Sequence, residues 1–239
     1  MDRYTQEWQR LYAVPGGAAD GADLVGAQGQ VRALVLELAR PADWSLIGAL
    51  WRGVQADLDW PAPAIAVNGR DGYQLWFSLA QPVAPAQGRA LLHALVQRYL
   101  PEVPPGRLGL WPQGAAPAVE HAPPVPRAMP DGERWSAFVA PDLAAVFGDE
   151  AALDLPPGAD AQADVLARLA PLQPGQWAPL LSMVAEAPRV APVANATDGP
   201  AALGEHTGPR PFLLAVMNDA SVPMALRIEA AKALLAAGG

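Results

Sequence analysis

The chain has 239 residues, 51% of them hydrophobic, and a formal net charge of -8. That is enough for one sizeable core with a small appendage, and the acidic balance argues against broad, non-specific duplex binding, which needs a basic face. With 0 cysteines, disulfides, thiolate zinc sites and thiol catalysis are excluded.

Residues 2–13 read as a short helix with Tyr4, Trp8, Leu11 and Tyr12 on one side, followed by a Gly/Ala/Asp-rich loop over 15–23. Val31 to Ala39 is apolar nearly throughout, as a central strand should be. Asp43 is placed to cap a helix over 44–56, where Trp44, Ile47, Leu50, Trp51 and Val54 recur at helical spacing. Residues 64–79 read as a hairpin: two apolar strands joined by Asn68-Gly69-Arg70-Asp71-Gly72, which supplies the residues that tolerate positive φ. A helix is expected from Pro82–Pro85 to about Leu100, with Leu91, Leu92, Leu95, Val96 and Tyr99 on its apolar face. A strand follows at 107–111, then an irregular Pro/Ala-rich stretch at 112–132, a strand at 134–139 and a helical turn from Pro141 to Phe147. Helices are expected at 160–170 and 176–186, a Pro/Ala/Gly linker at 187–210, and two closing helices at 211–217 and 223–237, with Pro223 in a first turn. This order predicts an α+β fold with a mixed, mainly antiparallel sheet, flanking helices and a C-terminal helical hairpin. The expected domains are 1–150 for the α+β body and 151–186 for a helical extension.

A strand–helix–hairpin–helix order with an acid on the first strand resembles the archaeo-eukaryotic primase superfamily, closest to its primase-polymerase and plasmid-replication-primase branches. The likeness covers roughly residues 4–147. In that family the first strand ends in an acid-x-acid pair that binds two divalent metals; the matching segment here is Leu36-Glu37-Leu38-Ala39, with one acid and an alanine. The family's second motif ends in a histidine that contacts nucleotide phosphates. Here Gly72-Tyr73-Gln74 stands in its place, and a glutamine can hydrogen-bond a phosphate but carries no charge. Arg107 to Gln113 resembles the segment near the third, metal-binding motif, and Arg134 to Asp142 the segment after it, with no acid assigned. Two-metal nucleotidyl transfer needs several converging carboxylates, so the resemblance implies a catalytically inactive relative with no cofactor.

Pro211 to Asp219 followed by Pro223 to Leu235 is similar to a short helical motif of phage and prophage proteins, some of them like terminase small subunits. A bacterial mobile-element or prophage origin is expected from it. His93, His121 and His206 lack metal-ligand spacing, and His93 is expected at the surface of its helix. Trp44, Trp51 and Trp76 read as core, whereas Trp60 and Trp111, each before a proline, read as half-exposed.

The expected function is binding of single-stranded nucleic acid or a replication or phage partner in the old active-site cleft, lined by Glu37, Arg70, Gln74, Trp76 and Arg107. Exposed tryptophan beside arginine suits base stacking. One alternative is a protein-interaction or scaffold module with a vestigial cleft. Another is a nucleotidyl transferase using Mg or Mn, with Asp57, Asp59 or Asp71 relocated beside Glu37. No stretch reaches the roughly 18 uninterrupted apolar residues of a membrane helix, and Met1-Asp2-Arg3-Tyr4 lacks the apolar run of a signal peptide, so a cytoplasmic protein with no membrane partner is expected.

Overall fold

The computed structural model describes residues 1–15 and 24–186, together with 227, 231 and 232. The chain divides into two units, Met1–Ala187 and Pro188–Gly239. The linker expected at 187–210 lies outside the described residues, as does the hairpin expected at 211–239 except for Arg227, Ala231 and Lys232, which are helical.

The first unit is α+β. Its elements are α1 (Arg3–Leu11), β1 (Val31–Ala39), α2 (Trp44–Leu58), β2 (Ala64–Val67), β3 (Gly72–Val83), α3 (Pro85–Tyr99), β4 (Leu108–Trp111), β5 (Gln113–Ala115), β6 (Ala118–Glu120), β7 (Arg127–Ala128), β8 (Trp135–Val139), α4 (Ala159–Ala167) and α5 (Pro174–Glu186). Local chemistry starts the first helices. Asp2 accepts the Thr5 N–H at 2.7 Å and Asp43 the Leu46 N–H at 3.2 Å, each satisfying an otherwise orphaned first-turn donor. Pro85 opens α3, where its missing N–H costs nothing.

Six strands form one sheet in the order β4-β1-β3-β2-β8-β7, and β5 and β6 form a separate two-stranded ribbon. All strand pairings within the large sheet are antiparallel, and a parallel bridge joins Leu79 to Leu172. The period-2 alternation of the strands sorts side chains to two faces. Leu34, Leu36, Leu38, Ile65, Leu75 and Phe77 pack with Ile47 and Leu50 of α2, Leu91 and Leu95 of α3, and Leu180 of α5. Ala33, Val35, Ala64, Ala66, Trp76 and Phe138 pack with Trp8 and Leu11 of α1 and Leu166 of α4. Each large side chain so buried stabilises by about 1.5–3 kcal/mol.

Several expectations need correction. Pro82 does not start a helix: β3 runs on through it, and Val83 pairs with Val31 beyond a register shift in β1. Proline is tolerated there because strand ends and bulges need not supply its N–H. The stretch 112–132 holds three short strands, β5, β6 and β7. Trp60 is only 4% exposed, because α5 covers it and Gln176 O accepts its Nε1–H at 2.9 Å. Trp44 and Trp51 are half-buried rather than core, Trp76 is core and Trp111 is half-buried. Residues 151–186 are hydrogen-bonded into the sheet and belong to the same unit as residues 1–150. Among the described residues, no helix is long and apolar enough to cross a membrane.

Candidate functional site

One row of the sheet carries the site. Across the strands, Gly109 of β4 lies opposite Glu37 of β1, Glu37 opposite Gln74 of β3, Gln74 opposite Ala66 of β2, and Ala66 opposite Phe138 of β8. Strand parity puts this row on the face shared with α1 and α4, since Glu37 alternates with Val35 and Gln74 with Trp76. Ala66 is buried in the core and the Trp111 ring lies over Gly109. Beside Glu37 and Gln74 the face opens into a pocket of about 170 Å³ lined by Glu37, Asn68, Arg70, Gln74, Trp111, Pro123, Pro124, Val125, Arg127 and Ser136.

A hydrogen-bond relay fixes the floor. Trp76 Nε1 donates to Gln74 Oε1 at 2.9 Å, and Gln74 Nε2 donates to Glu37 Oε2 at 2.7 Å. The Gln74 side chain is buried, so both of these bonds form away from bulk water, where they are strengthened. Glu37 is only partly buried and its Oε1 has no partner among the described residues. Below the relay, Trp76 sits in an aromatic cluster with Trp8, Tyr12 and Phe138, ring centroids 5.4 Å, 5.4 Å and 5.8 Å away.

The rim is basic. Arg70 stands in the β2–β3 turn and Arg127 at the start of β7; both are exposed, and neither guanidinium has a partner among the described residues. Asn68 holds the turn: its Oδ1 accepts the N–H groups of Arg70, Asp71 and Gly72 at 2.8 Å, 3.0 Å and 3.1 Å. Ser136 Oγ accepts the Arg127 N–H at 3.0 Å. Trp111 forms a wall. A Cβ on Gly109 would lie 2.5 Å from the Trp111 ring, so only glycine lets the indole lie back along β4.

Of the five residues expected in the cleft, Glu37, Arg70 and Gln74 line the pocket and Trp76 lies beneath it. Arg107 does not line it. Its guanidinium donates to Ala39 O at 3.3 Å and Pro41 O at 2.8 Å, bracing the turn after β1. Sequence reasoning did not place Arg127, Asn68 or Ser136 in the site. For Ser136 the signal available was the parity of β8, on which it shares a face with Phe138, and for Asn68 its place in the same turn as Arg70.

The donor set does not fit two divalent ions. Glu37 is the one carboxylate among the lining residues, and one of its oxygens is engaged by Gln74. Asp57 is spent elsewhere, accepting from Tyr99 Oη at 3.1 Å and lying 3.7 Å from Arg98. Among the described residues, no group of three or more His, Asp or Glu is placed to hold a metal ion. No protein-family model and no curated protein matches this chain.

Proposed function

We propose that this chain is a non-catalytic, primase-polymerase-like domain that binds single-stranded nucleic acid in the Glu37–Gln74 pocket. The observation that carries the reading is the pairing of two arginines, Arg70 and Arg127, whose guanidiniums have no partner among the described residues, with a half-buried tryptophan, Trp111, around one narrow pocket. Free guanidiniums supply phosphate contacts, and an indole supplies a stacking surface that any base can use. The net charge of -8 confines this attraction to the pocket rim, which suits a single strand better than a duplex lying on a broad face. The lone carboxylate supports binding without nucleotidyl transfer.

Fluorescence anisotropy of a labelled oligo-dT, titrated with the full chain at low and moderate salt, tests this. Saturable binding is expected, with a log–log salt slope of about -1.4 for two single-strand phosphate contacts. Replacing Arg70 and Arg127 together by alanine should weaken binding about tenfold or more and flatten the slope, whereas Arg107→Ala should leave it unchanged. Equal affinity in the Arg70/Arg127 double variant would refute the proposal.

A second reading, a protein-interaction module, has its own observation. Leu143 and Val146, 54% and 78% exposed, stand on one turn, where the Val146 N–H donates to Leu143 O at 3.0 Å, and neighbouring exposed apolar side chains are the kind of surface a protein partner covers. Absence of oligonucleotide binding even at low salt would favour it.

A further inference from the structure

The floor of the pocket has a polarity that the relay sets and the rim does not share. An indole N–H can only donate, so Trp76 obliges Gln74 to turn its carbonyl toward it and its amide NH2 toward Glu37. Glu37 therefore meets the pocket as an anchored acceptor, with Oε1 still unpartnered among the described residues. A ligand group that meets Glu37 must bring donors. Cationic donors are disfavoured, because Arg70 and Arg127 line the same pocket. The complementary ligand thus carries neutral donors on a flat ring, joined to an anionic group.

Among nucleobases, guanine alone offers two adjacent neutral donors, N1–H and the N2 amine. Adenine and cytosine each set a ring-nitrogen acceptor beside their amine, and thymine flanks its single N–H with two carbonyls; all three would turn a lone pair toward the carboxylate. Resting on the single-strand reading above, we propose that the pocket selects guanine: Glu37 accepts from N1–H and the N2 amine, the ring stacks on Trp111, and the adjoining phosphates meet Arg70 and Arg127. Leaving an anchored carboxylate against a base acceptor is the costly alternative, and such mismatches discriminate strongly.

The test keeps the protein intact and changes the base. Oligo-dT strands carrying one central dG, dI, dA or dC compete with labelled oligo-dT for the full chain. The dG strand should bind about tenfold or more tightly than the dA strand, and the dI strand, which keeps N1–H and lacks the N2 amine, should fall between them. Equal competition by all four would overturn guanine selection while leaving the single-strand reading standing, and failure of every strand to bind would overturn both. Guanosine and adenosine monophosphates serve as the second arm. Preferential displacement by the guanine nucleotide assigns the selectivity to the base and its own phosphate. Displacement by neither, with the dG preference kept, assigns it to a base within a strand. Equal displacement by both overturns the proposal. In Glu37→Gln and Glu37→Ala proteins whose melts remain cooperative, the dG-to-dA ratio should fall toward one; a ratio preserved in both would overturn the role of Glu37.

Discussion

His121 holds a ring whose two nitrogens meet opposite surroundings. Nε2 lies 3.0 Å from Ala33 O, while Nδ1 is buried with no partner among the described residues, and the Trp76 ring centroid is 6.2 Å away. Burial lowers the pKa of His121 from its ordinary 6.5, outweighing the opposing influence of the Ala33 and Ala122 backbone groups. The folded protein therefore holds this ring neutral over a range where the unfolded chain takes up a proton. Below pH 6.5 the unfolded state binds more protons, so stability falls as pH falls. Asp43 is held below its ordinary 3.8 chiefly by the Ser45 hydroxyl, and its contribution is lost only as pH drops under that value. The two effects thus occupy separate windows. The urea midpoint should decline from pH 7 to pH 5.5 in the native protein and stay nearly level in His121→Gln, whose amide can still donate to Ala33 O; an undiminished decline in that variant would discard the explanation. None of this was legible in the sequence. Ala33, whose carbonyl meets the ring, is 88 positions away along the chain, and no local pattern announces so distant a contact. Glu37 and Gln74, by contrast, were legible, because each interrupts an apolar strand and strand parity puts both on one face.

At the scale of elements, the β2–β3 hairpin orients the site. Gly69 sits at φ +83, which asks for glycine, and the single Asn68 oxygen gathers three backbone N–H groups. The sequence announced this turn through its Asn-Gly and Asp-Gly pairs. It announced the strand's length less well, since the local rule that proline opens helices gave way at Pro82 to pairing of Val83 with Val31. The strands β5, β6 and β7 are three, three and two residues long, too short for any period to register. Arg127 went unplaced for that reason. Replacing Asn68 by alanine removes the shared acceptor and should cost about 2 kcal/mol in urea unfolding, at about 1 kcal/mol or less for each lost bond. It should also weaken oligonucleotide binding by loosening Arg70. Asn68→Asp keeps an acceptor and should cost less; equal losses in both variants would show that the amide oxygen is not what holds the turn.

For the whole first unit, the decisive question is where the fold closes. The sheet is not finished at residue 150. Beyond that point Ala151 O accepts the Gly69 N–H at 2.9 Å, Leu153 exchanges two backbone hydrogen bonds with Trp135 at 2.8 Å and 3.1 Å, and Leu172 bonds Ser78 O and the Ala80 N–H at 2.8 Å and 3.0 Å. Gln162 of α4 does more. Its amide accepts from the Phe138 N–H at 2.8 Å and donates to Phe138 O at 2.9 Å, so one side chain completes the ladder of β8 where the two-residue β7 has ended. Buried backbone groups left without partners are costly, and α4 also supplies Leu166 to the core around Trp8 and Trp76. A chain cut after residue 150 would expose that core and orphan both Phe138 groups. One cut after residue 187 ends at the boundary between the two units. Circular dichroism should accordingly give a cooperative melt for residues 1–187 and no cooperative transition for residues 1–150. A sharp melt of the shorter fragment would mean that the sheet closes without Gln162, and that the partner it gives Phe138 is dispensable.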